Sequence, residues 1–166
     1  LPPQELIYTN WFYCDCLATW YHAEAFSERH WALIESYLSL AARRGMNMVL
    51  TPLFTPPLDT EVGGERPTMQ LVGVEQGPEG YRFDFSKAER FVKTARRCGI
   101  THFEMTHLFT QWGAEHAPKI MAKTPNGMEK IFGWDTDAAG PEYAAFLRSF
   151  LPELLHFLKR QGIEDV

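Results

Sequence analysis

The chain repeats one structural unit, and that repeat limits the fold more than any other feature. Ala42-Arg43-Arg44-Gly45 closes one helical pattern and is followed by Asn47-Met48-Val49-Leu50-Thr51-Pro52-Leu53-Phe54-Thr55. Ala95-Arg96-Arg97-Cys98-Gly99 closes another and is followed by Thr101-His102-Phe103-Glu104-Met105-Thr106-His107-Leu108-Phe109-Thr110. Both units finish on Thr-x-Leu-Phe-Thr. A basic last turn complements the partial negative charge at a helix C-terminus, and glycine then takes the left-handed conformation that stops the helix. The short apolar run after it suits a strand buried on both faces, as in a parallel sheet. A third handover begins at Leu158-Lys159-Arg160-Gln161-Gly162-Ile163, and a further strand is expected at Val166.

Around these handovers strands and helices alternate. The apolar periodicity predicts a helix from Glu28 to Arg44 with Ser27 as its N-cap, and another from Lys87 to Cys98 with Ser86 and Glu89 as a capping box. A third runs from Pro141 to Gln161 and carries an aromatic and leucine stripe, in which Pro152 predicts a kink or a break. Strands are expected at Leu6 to Tyr13, Asn47 to Leu53 and His102 to Met105. Between Met69 and Phe83, two apolar runs flank Gly77-Pro78-Glu79-Gly80 and read as an inserted β-hairpin.

This order specifies an α/β protein with parallel strands. No Gly-x-Gly-x-x-Gly loop follows the first strand, which favours a (β/α)8 barrel over an open nucleotide-binding sheet. Three units cannot close a barrel. Residues 1–166 are therefore expected to form the N-terminal portion of one barrel domain, about three β/α units plus the hairpin, with apolar strand edges exposed. Leu1-Pro2-Pro3-Gln4 reads as a linker from an upstream segment.

With 45% hydrophobic residues in 166, the chain can bury one real core. A net charge of −5 leaves no basic footprint, which argues against a nucleic-acid partner. No apolar run is long enough for a membrane span, and the start lacks a charged-then-apolar signal pattern. Three cysteines make no disulfide framework and fit a reducing compartment best. Five tryptophans and 14% aromatic residues exceed what the core needs, and the surplus in loops suits stacking on sugar rings. No cofactor is implied. His22, His107, His116, Cys14 and Cys16 lack metal-site spacing, so no metal is expected.

In a barrel, chemistry gathers in the loops after the strands' C-terminal ends. Here those loops are long and carry Trp11, Asp15 and Trp20 after the first strand, Thr55, Asp59 and Arg66 after the second, and His107, Gln111 and Trp112 after the third. Trp11, Asp15, Thr55, Asp59, Arg66, His107, Gln111 and Trp112 are the candidate substrate-binding residues. Each also has a structural reading: Asp59 as a turn cap, Arg66 paired with Glu65 or Asp59, His107 as a buried and satisfied histidine. Glu104, inside the third strand, is either a layer-filling buried acid or a site acid.

Phe26-Ser27-Glu28-Arg29-His30-Trp31, the run from Asn47 to Thr60, Glu65-Arg66-Pro67-Thr68, His107-Leu108-Phe109-Thr110-Gln111-Trp112-Gly113-Ala114 and Ile131-Phe132-Gly133-Trp134 together resemble the uncharacterised-domain family related to glycoside hydrolase family 123. The resemblance covers almost the whole chain. It implies a (β/α)8 catalytic domain, β-N-acetylgalactosaminidase activity and substrate-assisted retention, in which the sugar's own acetamido oxygen attacks the anomeric carbon. It also implies an adjacent Asp-Glu pair: the Asp orients the acetamido group and the Glu protonates the leaving oxygen. No Asp-Glu dipeptide occurs in this sequence; Glu164-Asp165 is reversed. The pair is expected just beyond Val166, so no catalytic acid is assigned within the chain, which alone should be inactive. A non-catalytic carbohydrate-binding barrel and a barrel enzyme acting on sugar phosphates are the alternatives.

Overall fold

The computed structural model describes residues 4–111 and 113–163. Among the described residues, four helices and six strands follow in order: α1 (Cys14–Trp20), α2 (Glu28–Ala42), β1 (Met48–Thr51), β2 (Gly73–Gly77), β3 (Gly80–Asp84), α3 (Ser86–Cys98), β4 (His102–Met105), β5 (Ile120–Thr124), β6 (Gly127–Phe132) and α4 (Pro141–Arg160). The helix ends obey local chemistry. The Ser27 hydroxyl accepts from the His30 amide at 3.3 Å and starts α2 as expected. Gly99 ends α3 with φ 101°, a conformation that costs glycine little and other residues much.

Several expectations are corrected. Ser86 does not cap α3 but lies inside it, because Asp84 takes the capping role: its carboxylate accepts from the Ser86 amide and hydroxyl, each at 2.9 Å. Glu89 pairs instead with Lys93 one turn on. Pro152 does not split α4, which is a single helix of 20 residues. Pro152 is exposed, as is Arg148, whose carbonyl it leaves without an amide partner, so water can serve that group. The expected first strand is reduced to a parallel bridge between Thr9 and Met48, with Leu6 and Ile7 exposed. The linker read at Leu1-Pro2-Pro3 and the strand due at Val166 lie outside the described residues.

The repeat proves structural. β1 and β4 pair in parallel, with Met48 opposite His102 and Thr51 opposite Met105. Thr106 seals their shared end: its amide donates to the Thr51 carbonyl at 3.1 Å, and its hydroxyl donates to the same carbonyl while accepting from the Leu53 amide at 2.9 Å. The two Thr-x-Leu-Phe-Thr runs therefore leave the sheet side by side. No closed barrel is present among the described residues; the architecture is mixed α/β with two partial sheets.

The second sheet has the order β3-β2-β5-β6. The expected hairpin is β2–β3, and a second hairpin, β5–β6, joins it through one parallel pair, Glu75 with Lys123. Both turns place proline second and glycine fourth, at Gly77-Pro78-Glu79-Gly80 and Thr124-Pro125-Asn126-Gly127. Gly80 and Gly127 take φ 110° and 122°. α4 packs its aromatic stripe on this sheet. Phe150 stacks near Phe54, Phe83, Phe85 and Phe146, with the Phe54 ring centroid 4.8 Å away. Phe54 comes from the run leaving β1, so one apolar cluster fuses the two sheets and α4. No helix is long and apolar enough to cross a membrane among the described residues.

Replacing Thr106 with Val in the full-length protein should cost about 0.5–1.5 kcal/mol, because the hydroxyl's bonds with the Thr51 carbonyl and the Leu53 amide are lost, the Leu53 amide keeping only its bond to the Thr51 carbonyl. Thr106→Ser should be nearly neutral. Denaturant unfolding measures both, and equal values for the two variants would remove the seal from the account.

Candidate functional site

The loops leaving the parallel strand ends meet α1, and hydrogen bonds lock them together. Asp15 lies on α1 and is buried. Its carboxylate receives the Arg66 guanidinium in a two-pronged pair, Nε to one oxygen and Nη2 to the other, each at 3.0 Å. Arg66 also donates from Nη1 to the Leu58 carbonyl at 3.2 Å and lies 4.1 Å over the Tyr13 ring. Burial alone would lower the Arg66 pKa, but the hydrogen bonds and charge of Asp15 outweigh it and raise it above the ordinary value. Tyr13 then donates to the Asp59 carboxylate at 2.7 Å. Burial first, and that hydrogen bond second, push the Tyr13 phenol well above its usual range, so it stays a donor. Asp59 sits at φ 54°, a left-handed position that Asp tolerates better than most residues, and its amide donates to the Gln111 side-chain oxygen at 3.0 Å.

Four candidate residues, Asp15, Arg66, Asp59 and Gln111, thus belong to one continuous network with Tyr13. Asp15 and Arg66 spend their charges on each other. Asp59 is exposed, and Gln111 is half-buried. The neighbouring Glu65 is held by Lys130 at 2.6 Å and Lys119 at 3.2 Å, which ties the same loop to the second sheet. Lys130, and then Lys119, hold the Glu65 carboxyl below its ordinary pKa.

A second group adjoins the first. Trp11, 41% exposed, directs its indole N–H between the two carboxylate oxygens of Glu104, 3.2 Å from each. The His107 ring meets Trp11 edge-on, with centroids 5.9 Å apart, and is itself exposed. Trp11, Glu104 and His107 leave three different positions on the Thr9, β4 and post-β4 segments and converge at one end of the parallel strands. Such a group offers a flat apolar face, hydrogen-bond acceptors and a titratable ring to a polar ligand.

Thr55 differs from the rest: it is buried, and its hydroxyl accepts from the Met69 amide at 3.2 Å. Trp112 lies outside the described residues. Trp20, on α1, is 78% exposed beside an open depression also lined by Asp15, Cys16, Thr19 and His22. Cys14 and Cys16 occupy a helix, the first buried and the second exposed, and burial pushes the Cys14 thiol up. Among the described residues, no three His, Cys, Asp or Glu side chains come together as a metal site. An anion grip of the kind a sugar phosphate needs is also opposed at α3, whose N-terminus already faces the Asp84 carboxylate.

Tyr13 was not among the candidates, and α1, which carries Asp15, was not expected as a helix. Tyr13 lies in an aromatic run that reads equally well as loop packing, and nothing local marks it as the bridge between Arg66 and Asp59. Breaking the buried Asp15–Arg66 pair from one side should be costly. Arg66→Met in the full-length protein is expected to lower stability by about 3–5 kcal/mol, and Asp15→Asn combined with Arg66→Met by clearly less than the sum of the two single changes. Additive losses in a double-mutant cycle would contradict the pairing.

Comparison with known proteins gives the family of the chain. The family model described as glycoside hydrolase 123, catalytic domain, matches residues 11–166. Among solved structures, a family 123 glycoside hydrolase from Clostridium perfringens, studied for glycolipid glycan hydrolysis, has a similar fold with a TM-score of 0.67 at 15% identity. The similarity covers 92% of this chain and 27% of that chain, so this chain spans about a quarter of that relative's length. No curated protein matches. A match over nearly every residue places the chain plainly: it belongs to the glycoside hydrolase 123 catalytic-domain family.

Proposed function

We propose that the protein carrying this chain is a glycoside hydrolase acting on β-linked N-acetylhexosamines, with N-acetylgalactosamine favoured, and that its catalytic domain is a (β/α)8 barrel. Family membership supports the reaction class. The observation that carries the reading within the chain is the convergence of Trp11, Glu104 and His107 beside the β1–β4 ends, next to the network that fixes Asp59 and Gln111. In a parallel α/β enzyme this is the end where substrate sits.

The chemistry follows from the substrate. The oxygen of an acetamido group on the sugar's second carbon can attack the anomeric carbon of the same sugar as the glycosidic bond breaks, so the protein needs no nucleophile of its own. It needs one carboxylate to orient and polarise the acetamido group, and a neutral carboxylic acid to protonate the departing oxygen. We assign both to an Asp-Glu pair encoded beyond Val166, since the dipeptide is absent from this sequence. The present residues then bind and align the sugar: Trp11 and Trp112 as stacking surfaces, His107, Gln111 and Asp59 as hydrogen-bonding groups, Thr55 as a support for the loop. Asp15 and Arg66 hold the loop that presents Asp59. The Clostridium perfringens relative, named for hydrolysis of glycolipid glycans, supports a glycan as the substrate.

Full-length protein should release chromophore from a β-N-acetylgalactosaminide, and His107→Ala should lower kcat/KM at least about tenfold, or roughly 1.4 kcal/mol. Inertness toward both galacto- and gluco-configured N-acetyl substrates would overturn the substrate class. Sugar binding without turnover would favour a carbohydrate-binding domain instead.

A further inference from the structure

Glu104 occupies an unusual environment for a carboxylate. In the β1–β4 ladder it stands opposite Leu50. Paired residues of a parallel sheet share a face, and neighbours along a strand alternate. Val49 and Phe103 point into the main core, where the Arg96 guanidinium lies 5.7 Å from the Phe103 ring. Glu104 therefore occupies the opposite face, away from α3, beside the fully buried Leu50. A carboxylate set there as mere filling would need a cation or several donors to offset its loss of water. Among the described residues no Lys, Arg or His forms an ion pair with it. Among the described residues, the hydrogen-bond donor to its carboxylate is the Trp11 indole, shared between the two oxygens.

An ionised carboxylate has about four acceptor sites, so a single indole N–H leaves most of that capacity unused. The indole also fixes the direction of the carboxylate, and the carboxylate fixes the plane of the indole. The result is a flat aromatic surface with an oriented pair of acceptor oxygens at its edge, half-buried at the end of the strands. Two adjacent hydroxyl groups on a pyranose ring match those two oxygens, while the ring's C–H face matches the indole. A phosphate or an acidic sugar does not fit, because its charge would repel the carboxylate.

Resting on the glycoside hydrolase reading, we propose that Glu104, oriented by Trp11, is a specificity-determining residue that binds two adjacent hydroxyls of the sugar lying against Trp11. His107 closes the other side of the indole and limits how the ring can tilt. The substrate class is thereby narrowed to uncharged glycosyl units with a free vicinal hydroxyl pair.

The test compares wild-type full-length enzyme with Glu104→Gln on a chromogenic β-N-acetylgalactosaminide and on its 3-deoxy and 4-deoxy analogues. Gln keeps an acceptor for the Trp11 N–H but loses the charge-assisted bonds. The expected loss in kcat/KM is about ten- to a hundredfold on the parent sugar, and less than about threefold on the analogue lacking a contacted hydroxyl. Wild-type enzyme should itself discriminate against at least one deoxy analogue by a similar factor, a measurement that does not depend on the variant folding. Equal losses on all three substrates, or a wild-type enzyme indifferent to the missing hydroxyls, would overturn the proposal while leaving the hydrolase reading intact. A wild-type protein inert on every N-acetylhexosaminide would overturn both.

Discussion

Everything at the candidate site depends on two short strands lying parallel and in register. The β1–β4 ladder has only four paired positions, so its end is held by side-chain chemistry rather than by length. Thr106 supplies it, bonding the chain leaving β1 at both Thr51 and Leu53. With that end fixed, the loop carrying Asp59 and Arg66 and the loop carrying His107 and Gln111 start from the same point in space. A slip of one residue would turn Glu104 toward the helices and Phe103 away from the core.

Two kinds of force then shape the rim. Apolar burial anchors it from below: Phe54 leaves β1 and packs at once into the aromatic cluster of Phe146 and Phe150 on α4. Directed polar contacts arrange it from above, through the Asp15–Arg66 pair, the Tyr13–Asp59 bond and the Asp59–Gln111 bond. The arrangement separates side chains paired within the protein from side chains left open at the surface. Charges that are matched inside the protein hold loops in place, whereas Glu104 is half-buried and His107 exposed at the end of the strands.

Much of this was legible in the residues. The basic-glycine handovers located the parallel strands, Ser27 located the start of α2, and Gly77-Pro78-Glu79-Gly80 located the first hairpin. The same proline-and-glycine turn chemistry at Thr124-Pro125-Asn126-Gly127 marks the second hairpin and could have been read in the same way. α1 was hidden for a physical reason: its seven residues have no side-chain N-cap, and it is held by packing of Cys14 and Leu17 instead of by propensity. The role of Asp84 at α3 was masked by Ser86, which suits a cap equally well by type. The pairing of Asp15 with Arg66 joins positions far apart in sequence, and no local pattern encodes such a contact. Glu104 is ambiguous by sequence, since a filling acid and a site acid can share one strand position, and the Trp11 indole contact is what the fold adds.

The most direct measurement is a crystal structure of the full-length protein with N-acetylgalactosamine bound. One sugar ring is expected against the exposed face of Trp11, with hydroxyls within hydrogen-bond distance of Glu104 and His107 nearby. A sugar bound at a different end of the parallel strands, with Trp11 and Glu104 untouched, would contradict it.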